Sequence, residues 1–345
     1  MNEFEVIHEF FDRQYSGKKG DKRRSRKKLS MDVSCGIGDD AALLRMPEGM
    51  ELALTTDTLV MGVHFAENAP SEFIGYKSLA VNLSDLAAMG AIPAWATLSL
   101  TLPSIDRLWL KHFSDSFFSL ADLHHVALVG GDTTRGPLNI TISVLGWVPA
   151  AGSLRRHGAR PGDLIYVSGD LGDAALALRI LSSDQPTAGL RPESLPWTRL
   201  MNRLHKPTPR IGLGLALQGV ASAAIDISDG LLSDLNHLCE ASSVGASINI
   251  DDLPRSDVFT NLTQQSRDYY DMALGGGDDY ELCFTLPPSS RNRLQDMLYD
   301  VDCSVACIGC IEEKPGIRCH YDDGRPYRIT VTGYDHFAQS RADHD

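Results

Sequence analysis

Ala94-Trp-Ala-Thr-Leu-Ser-Leu-Thr-Leu102 puts Ala94, Ala96, Leu98, Leu100 and Leu102 on one face and Trp95, Thr97, Ser99 and Thr101 on the other. That period of two is the mark of a half-buried strand. Ser104 to His124 then reads as a long helix, with Ile105, Leu108, Phe113, Phe117 and Leu120 on its buried stripe. A short strand, Val126 to Val129, runs into Gly130-Gly-Asp-Thr-Thr-Arg-Gly136, and Leu138 to Val148 alternates again as a strand. A strand, helix, strand succession with an acidic glycine turn at a strand end points to a layered α/β or α+β fold.

Working outward, Leu52 to Val60 is a strand that carries Thr55, Thr56 and Asp57 where apolar side chains are expected, and His64 follows shortly. Ser71 to Met89 is a helix capped by Ser71, with Gly90 just past its end and Pro93 beyond. On it Asn82, Asp85 and Met89 share a face. Upstream, Gly36-Ile-Gly-Asp-Asp-Ala-Ala42 is a glycine-loosened turn leading into an apolar run that a strand can bury. Pro149 and Gly152 break the pattern and divide the chain into domains 1–150 and 151–345.

In the second half, Leu164 to Val167 is a strand, followed by a helix through Leu181 and a surface loop over 183–197. Pro209 to Val220 is helical with Pro209 in its first turn. Ala221 to Ile227 is a strand ending in Asp226-Ile-Ser-Asp-Gly230, and a helix follows over Leu231 to Ala241. Gly275-Gly-Gly-Asp-Asp-Tyr-Glu281 precedes a strand over Leu282 to Leu286.

The chain has 345 residues, too many for one small core, with 43% hydrophobic and 22% charged residues, ordinary values for a soluble protein. No apolar run approaches the ~20 residues of a membrane span. Met1 to Phe11 carries three acidic residues and no basic n-region, unlike a secretory signal. Seven scattered cysteines fit reduced thiols in a cytoplasmic protein. A net charge of −13 opposes nucleic-acid binding. The exception is Lys18 to Lys28, nearly all basic, which reads as a solvated loop. Cys307 and Cys310 have C-x-x-C spacing, but a regular strand puts them on opposite faces, as small apolar residues rather than zinc ligands.

Acidic groups recur at Asp39/Asp40, Asp57, Asp132, Asp226/Asp229 and Asp278/Asp279, with Asp85 on a helix. Each alone is open to a bland reading, as a solvated turn or a helix cap, and Asp229 is well placed for the latter. As a set beside glycines and strand ends they suit more than one hard divalent cation, which takes oxygen ligands. Phosphate-loop, G-x-G-x-x-G and protein-kinase fingerprints are missing, and no catalytic triad is legible. Chemistry resting on cations and positioned amides is that of phosphoryl transfer.

Six motifs occur in one order: Gly36-Ile-Gly-Asp-Asp-Ala-Ala, Thr55-Thr-Asp-Thr-Leu, Asn82-Leu-Ser-Asp-Leu-Ala-Ala-Met-Gly, Gly130-Gly-Asp-Thr-Thr-Arg-Gly, Ile225-Asp-Ile-Ser-Asp-Gly-Leu and Gly333-Tyr-Asp-His-Phe. Across about residues 32–338 the chain resembles the thiamine-monophosphate kinases, of the superfamily that includes aminoimidazole ribonucleotide synthetase.

The resemblance implies a mixed-sheet N-terminal domain that binds metal and ATP and pairs in a homodimer. It further implies a C-terminal α+β domain that completes the ATP and substrate cleft. The implied reaction is ATP-dependent phosphorylation of thiamine monophosphate with several Mg2+ ions. Carried over, the metal ligands are Asp40, Thr55, Thr56, Asp57, Asp85, Asp132, Asp226 and Asp229. Gly131, Asp132, Arg156 and Ser228 match ATP contacts, and His64, Asp278 and Tyr334 match substrate contacts. No residue is assigned as a general base. A phosphate monoester is largely a dianion at neutral pH, so the nucleophile needs cations and alignment more than proton removal.

Asp278 stands where Glu is common in that family, so its carboxylate reaches one methylene less far. Selenophosphate synthesis would call for a reactive cysteine well upstream of the first motif, and Cys35 abuts Gly36 instead. Purine-ring closure and a non-catalytic nucleotide sensor are the other readings; the thiamine-type motifs and the full acidic set favour the kinase.

Overall fold

The computed structural model describes residues 1–13, 33–182, 190–191, 194–263, 268–331 and 333–334. The basic block 18–28 and Asp335 to Phe337 of the last motif lie outside them. Two compact units emerge, Met1–Ser153 and Leu154–Asp345. Among the described residues no helix is long and apolar enough to cross a membrane.

The first unit opens with a short helix α1 (Glu3–Val6), then strands β1 (Val33–Cys35), β2 (Leu43–Leu44) and β3 (Met50–Val60). Helix α2 (Ser71–Ala88), strand β4 (Ile92–Leu102), helix α3 (Arg107–Leu123) and strands β5 (Ala127–Arg135) and β6 (Asn139–Pro149) follow. β3, β6, β4 and β5 form a mixed sheet in that spatial order, with β4 and β5 parallel and the other pairs antiparallel. The parallel pair is the strand–helix–strand unit that the alternation announced.

One sheet face is the core. Ile140, Ile142 and Val144 of β6 are fully buried, with Leu98 and Leu100 of β4 beside them. The same face meets α2: a Cβ at Gly146 would sit 3.1 Å from the Leu86 side chain. On the other face Trp95 stacks edge-on against Trp147, ring centroids 5.2 Å apart, under Val33, Ala42 and Leu44. Trp95 is therefore buried, and β4 begins as a strand covered on both faces rather than half-exposed.

Several local expectations shift. α3 starts at Arg107 because Asp106 caps it, accepting from the Leu108 and Trp109 amides, so Ile105 precedes the helix and Leu108 is left exposed. Its buried stripe is Leu110, Phe113, Phe117 and Leu120. Ser71 is the first residue of α2, after Pro70, and makes no cap. Leu43 is 61% exposed, so little of the apolar run after Asp40 is buried. β5 continues through Gly130 to Arg135, which places Asp132 within a strand opposite Ser99.

The second unit contains β7 (Leu164–Ser168), α4 (Asp173–Ser182), α5 (Leu195–His205), α6 (Ile211–Ala216), β8 (Ala223–Ile227) and α7 (Leu231–Ser242). It continues with β9 (Gly245–Asn249), α8 (Asp257–Thr263), α9 (Asp268–Gly275), β10 (Glu281–Leu286), α10 (Arg291–Leu298), β11 (Val305–Glu312), β12 (Gly316–His320) and β13 (Pro326–Tyr327). Seven strands pair in the order β13-β12-β9-β11-β7-β10-β8, parallel only between β12 and β9. Leu195 to Trp197, expected in a loop, begin α5, where Ser194 accepts from the Trp197 amide. Pro209 lies before α6, which starts at Ile211.

A register shift between Cys307 and Gly309 pairs Cys307 with Tyr166 and Cys310 with Leu164. Tyr166 and Leu164 are two residues apart on β7, so the bulge brings the two thiols to one face, against the expectation from regular alternation.

Candidate functional site

In the first unit the expected ligands sort by face. Thr55 and Asp57 alternate with Thr56 along β3. Thr55 Oγ1 donates to Asp85 Oδ2 on α2. Burial, and after it the charge of Asp85, push the Asp57 carboxyl up to about 7. Thr55, Asp57 and Asp85 are thus brought together on the α2 side. Thr56 is turned to the other face, where its hydroxyl meets Ser143 Oγ at 2.7 Å.

Asp40 is exposed, its amide donating to Asp39 Oδ1 at 2.9 Å. Asp132 is exposed on edge strand β5, next to Gly131. Gly131 has φ +151°, and a Cβ there would lie 1.9 Å from the Leu98 carbonyl oxygen, so only glycine lets β5 run this close to β4. His64 closes the turn after β3: its Nδ1 accepts from the Val60 amide at 3.0 Å.

In the second unit three sequence-distant segments are laced together by their backbones. The Ile227 carbonyl accepts from the Tyr280 amide at 2.8 Å, Ser228 from Asp278 at 2.8 Å, and Asp229 from Tyr334 at 3.0 Å. Gly277 makes this possible, since a Cβ there would sit 2.6 Å from the Ser228 oxygen. Asp278 and Tyr280 hold φ values of +68° and +49°, strained for side-chain-bearing residues. Ser228, Asp229, Asp278 and Tyr334 consequently share one locality, with Asp226 on β8 just before the turn.

Arg156 does not join them. Its segment bonds to the far ends of β8 and α7: Arg155 O accepts from the Ala224 amide and Arg156 O from Ser242 Oγ. At ~3.3 Å per strand residue, Ala224 lies roughly 13 Å from Ser228 along β8.

Sequence reasoning missed two features. Asp234, on the first turns of α7, receives the amides of Ser228, Asp229 and Gly230 on a single oxygen, Oδ2, at 3.0, 3.0 and 3.2 Å. Burial, then Asp229, push its carboxyl up to about 7 against those three donors. Asp229 itself makes no cap to α7, so the bland reading open to it is not the one the fold uses. The spacing from Asp229, Ser-Asp-Gly-x-x-x-Asp, was a readable signal, because a carboxylate one turn into a helix can reach back to the amides of the turn that precedes it.

The second is a buried ion network under the Asp278 loop. Glu281, fully buried, accepts from Ser168 Oγ at 2.5 Å, Arg203 Nη2 at 2.9 Å, and Arg210 Nε and Nη2 at 2.6 Å each. Asp279, also fully buried, accepts from the Gly172 amide on both oxygens at 3.1 Å, and burial holds its carboxyl well above the usual range. The sequence showed these charges but not that they are buried, which depends on partners contributed by α5 and β7.

Among the described residues no group of three or more His, Cys, Asp or Glu forms a ready-made metal cluster. The donor chemistry nonetheless fits a hard cation. Thr55, Asp57 and Asp85 offer only oxygen, and the carboxylate repulsion that raises Asp57 is what a bound Mg2+ would relieve.

Comparison with known proteins bears on both units. Residues 38–148 match the family model for AIR synthase related protein, N-terminal domain, and residues 160–322 match its C-terminal domain. Thiamine-monophosphate kinase of Salmonella typhimurium is 45% identical over 336 residues, 97% of this chain and 98% of that protein. The crystal structure of thiamine-monophosphate kinase from Stenotrophomonas maltophilia superposes with a TM-score of 0.80 at 46% identity, over 86% of this chain and 93% of that one. A structure of AaThiL complexed with AMPPCP and TMP superposes with a TM-score of 0.72 at 32% identity, over 85% of this chain and 89% of that one. With nearly the whole length of both proteins aligned at that identity, the chain belongs to the thiamine-monophosphate kinase family, and it is a kinase.

Proposed function

We propose that this kinase transfers the γ-phosphoryl group of ATP directly to the phosphate of thiamine monophosphate, in line, releasing ADP and thiamine diphosphate. A bond forms between an acceptor phosphate oxygen and Pγ as the bond from Pγ to the ADP oxygen breaks. The observation that carries this reading is the backbone lacing of the Ser228–Asp229 turn to Asp278 and Tyr334. It joins residues assigned to the nucleotide and its metal with residues assigned to the acceptor. The relative complexed with AMPPCP and TMP supports the same pairing of ligands.

Asp40, Thr55, Asp57, Asp85, Asp132, Asp226 and Asp229 are the side chains that would hold Mg2+; Thr56, facing Ser143, is the weakest member of the set. Bound there, Mg2+ supplies charge neutralisation between two polyanions. Tyr334, 51% exposed, offers an aromatic face to the cationic thiazolium. Of the second unit's residues assigned to ATP, Arg156 is the one set apart, its segment bonding the far ends of β8 and α7. Asp278, with a carboxylate one methylene shorter than Glu, leaves room for a bridging water to substrate. The chain needs no general base because the acceptor is already ionised.

The partner we assign is a second copy of this chain. Leu52 and Leu54 on edge strand β3 are 48% and 62% exposed, on one face with Trp147 and Leu145 of β6. Of that face, Leu145 and Trp147 pack with Val33, Ala42 and Leu44, while Leu52 and Leu54 stay exposed. We place the enzyme in the cytoplasm, consistent with its unpaired cysteines.

The purified chain, given ATP and Mg2+, should form ADP and thiamine diphosphate in equal amounts on addition of thiamine monophosphate. ADP formation that does not depend on thiamine monophosphate would sink this reading.

A further inference from the structure

The turn from Ile227 to Gly230 precedes a twelve-residue helix, and the free amides of a helix N-terminus ordinarily attract anions such as phosphate. The three amides just ahead of that N-terminus, at 228–230, are already taken. Asp234 Oδ2, on a side chain only 4% exposed, accepts from Ser228, Asp229 and Gly230. On the opposite side of the same peptides, the carbonyls of Ile227, Ser228 and Asp229 accept from Tyr280, Asp278 and Tyr334. Six backbone groups of one short turn are thus committed within the protein, three to a single carboxylate oxygen and three to two other segments. The turn has only side chains left to offer a ligand.

We propose that Asp234 is a positioning residue for phosphoryl transfer: by gathering the three amides it sets the peptide planes whose carbonyls hold Asp278 and Tyr334. One buried oxygen thereby fixes the nucleotide and acceptor residues in a common register. The inference rests on the kinase reading above. It differs from a plain helix cap in its consequence, because a cap stabilises α7 whereas this arrangement also aligns two segments that α7 does not contain.

Two substitutions separate placement from charge. Asp234→Asn keeps an acceptor oxygen where the amides converge and removes the charge. Asp234→Glu keeps the charge and moves the oxygen by one methylene. The expected result is an Asn variant close to wild type. The Glu variant should show KM for ATP and for thiamine monophosphate rising together and kcat/KM falling by about a hundredfold, as a misplacement near 1 Å would cause.

Amide hydrogen exchange supplies a readout independent of turnover. In Asp234→Glu, exchange should quicken at 228–230 and also at Asp278 and Tyr334. Should the Glu variant fail to fold, Asp234→Ser, a shorter acceptor, replaces it as the misplaced case.

Wild-type kinetics in a folded Glu or Ser variant would overturn the proposal, as would faster exchange confined to 228–230, or an Asn variant as impaired as the Glu variant. Absence of thiamine monophosphate-dependent ADP formation by the wild-type chain would instead remove the kinase reading itself.

Discussion

Thr55 and Asp85 are joined across β3 and α2 by a side-chain hydrogen bond, Thr55 Oγ1 donating to Asp85 Oδ2, while the adjacent Thr56 hydroxyl bonds Ser143 on the opposite sheet face. Two neighbouring threonines that look equivalent in the sequence therefore have different jobs. Thr55→Val keeps the shape but removes the hydroxyl that donates to Asp85. Its kcat/KM should fall by at least about tenfold, or ~1.4 kcal/mol. Thr56→Val should cost turnover far less than Thr55→Val and shift stability by no more than about 0.5 kcal/mol. Equal losses in the two variants would contradict the division by face.

Asp57 lies beside Asp85, and its carboxyl is raised by burial first and by that neighbour second. Asp57→Asn should therefore cost turnover by orders of magnitude without destabilising the metal-free protein, because it removes a repulsion. Thermal unfolding in chelator should give a Tm equal to or above that of wild type. Added Mg2+ should raise the wild-type Tm more than the variant's. A variant that gains as much as wild type from Mg2+ would remove Asp57 from the ligand set.

Asp279 is fully buried, and burial holds its native carboxyl above the unfolded value of 3.8. The folded state then binds a proton that the unfolded state has released, so this group costs stability increasingly as pH rises from 3.8 through its native-state value. Asp279→Asn lacks that ionisation. Urea midpoints measured from acid to neutral pH should show stability of the variant, relative to wild type, rising across this window and then levelling. A difference that falls with pH would mean the carboxylate is stabilised by Gly172 and Arg203 more than burial disfavours it.

Leu54, 62% exposed on edge strand β3, is a sensitive point for self-association. Leu54→Asp should shift sedimentation equilibrium from dimer to monomer while leaving the folded monomer's circular dichroism intact. A wild-type chain that sediments as a monomer would dispose of the proposed partner.

The sequence by itself determined the element types around Ala94–Leu102, because burial of one sheet face writes a period of two into the chain. The acidic motifs were equally legible, since carboxylates beside glycines have no packing reason to be there. Boundaries moved where a local hydrogen bond decided them, as Asp106 did for α3. The face of Cys310 relative to Cys307 moved because a bulge adds a residue that alternation does not count.

Only the tertiary structure decided which motifs meet. Backbone bonds carry no side-chain signature, so nothing in the residues around 228, 278 and 334 announced that their peptides are laced together. The same holds for Glu281, whose charge is visible in the chain but whose burial depends on Arg203 and Arg210, more than 70 residues away. Asp234 belongs to both accounts: its position within a turn of the Ser-Asp-Gly motif is written in sequence, whereas its three amides converge on one oxygen only when the fold closes around it.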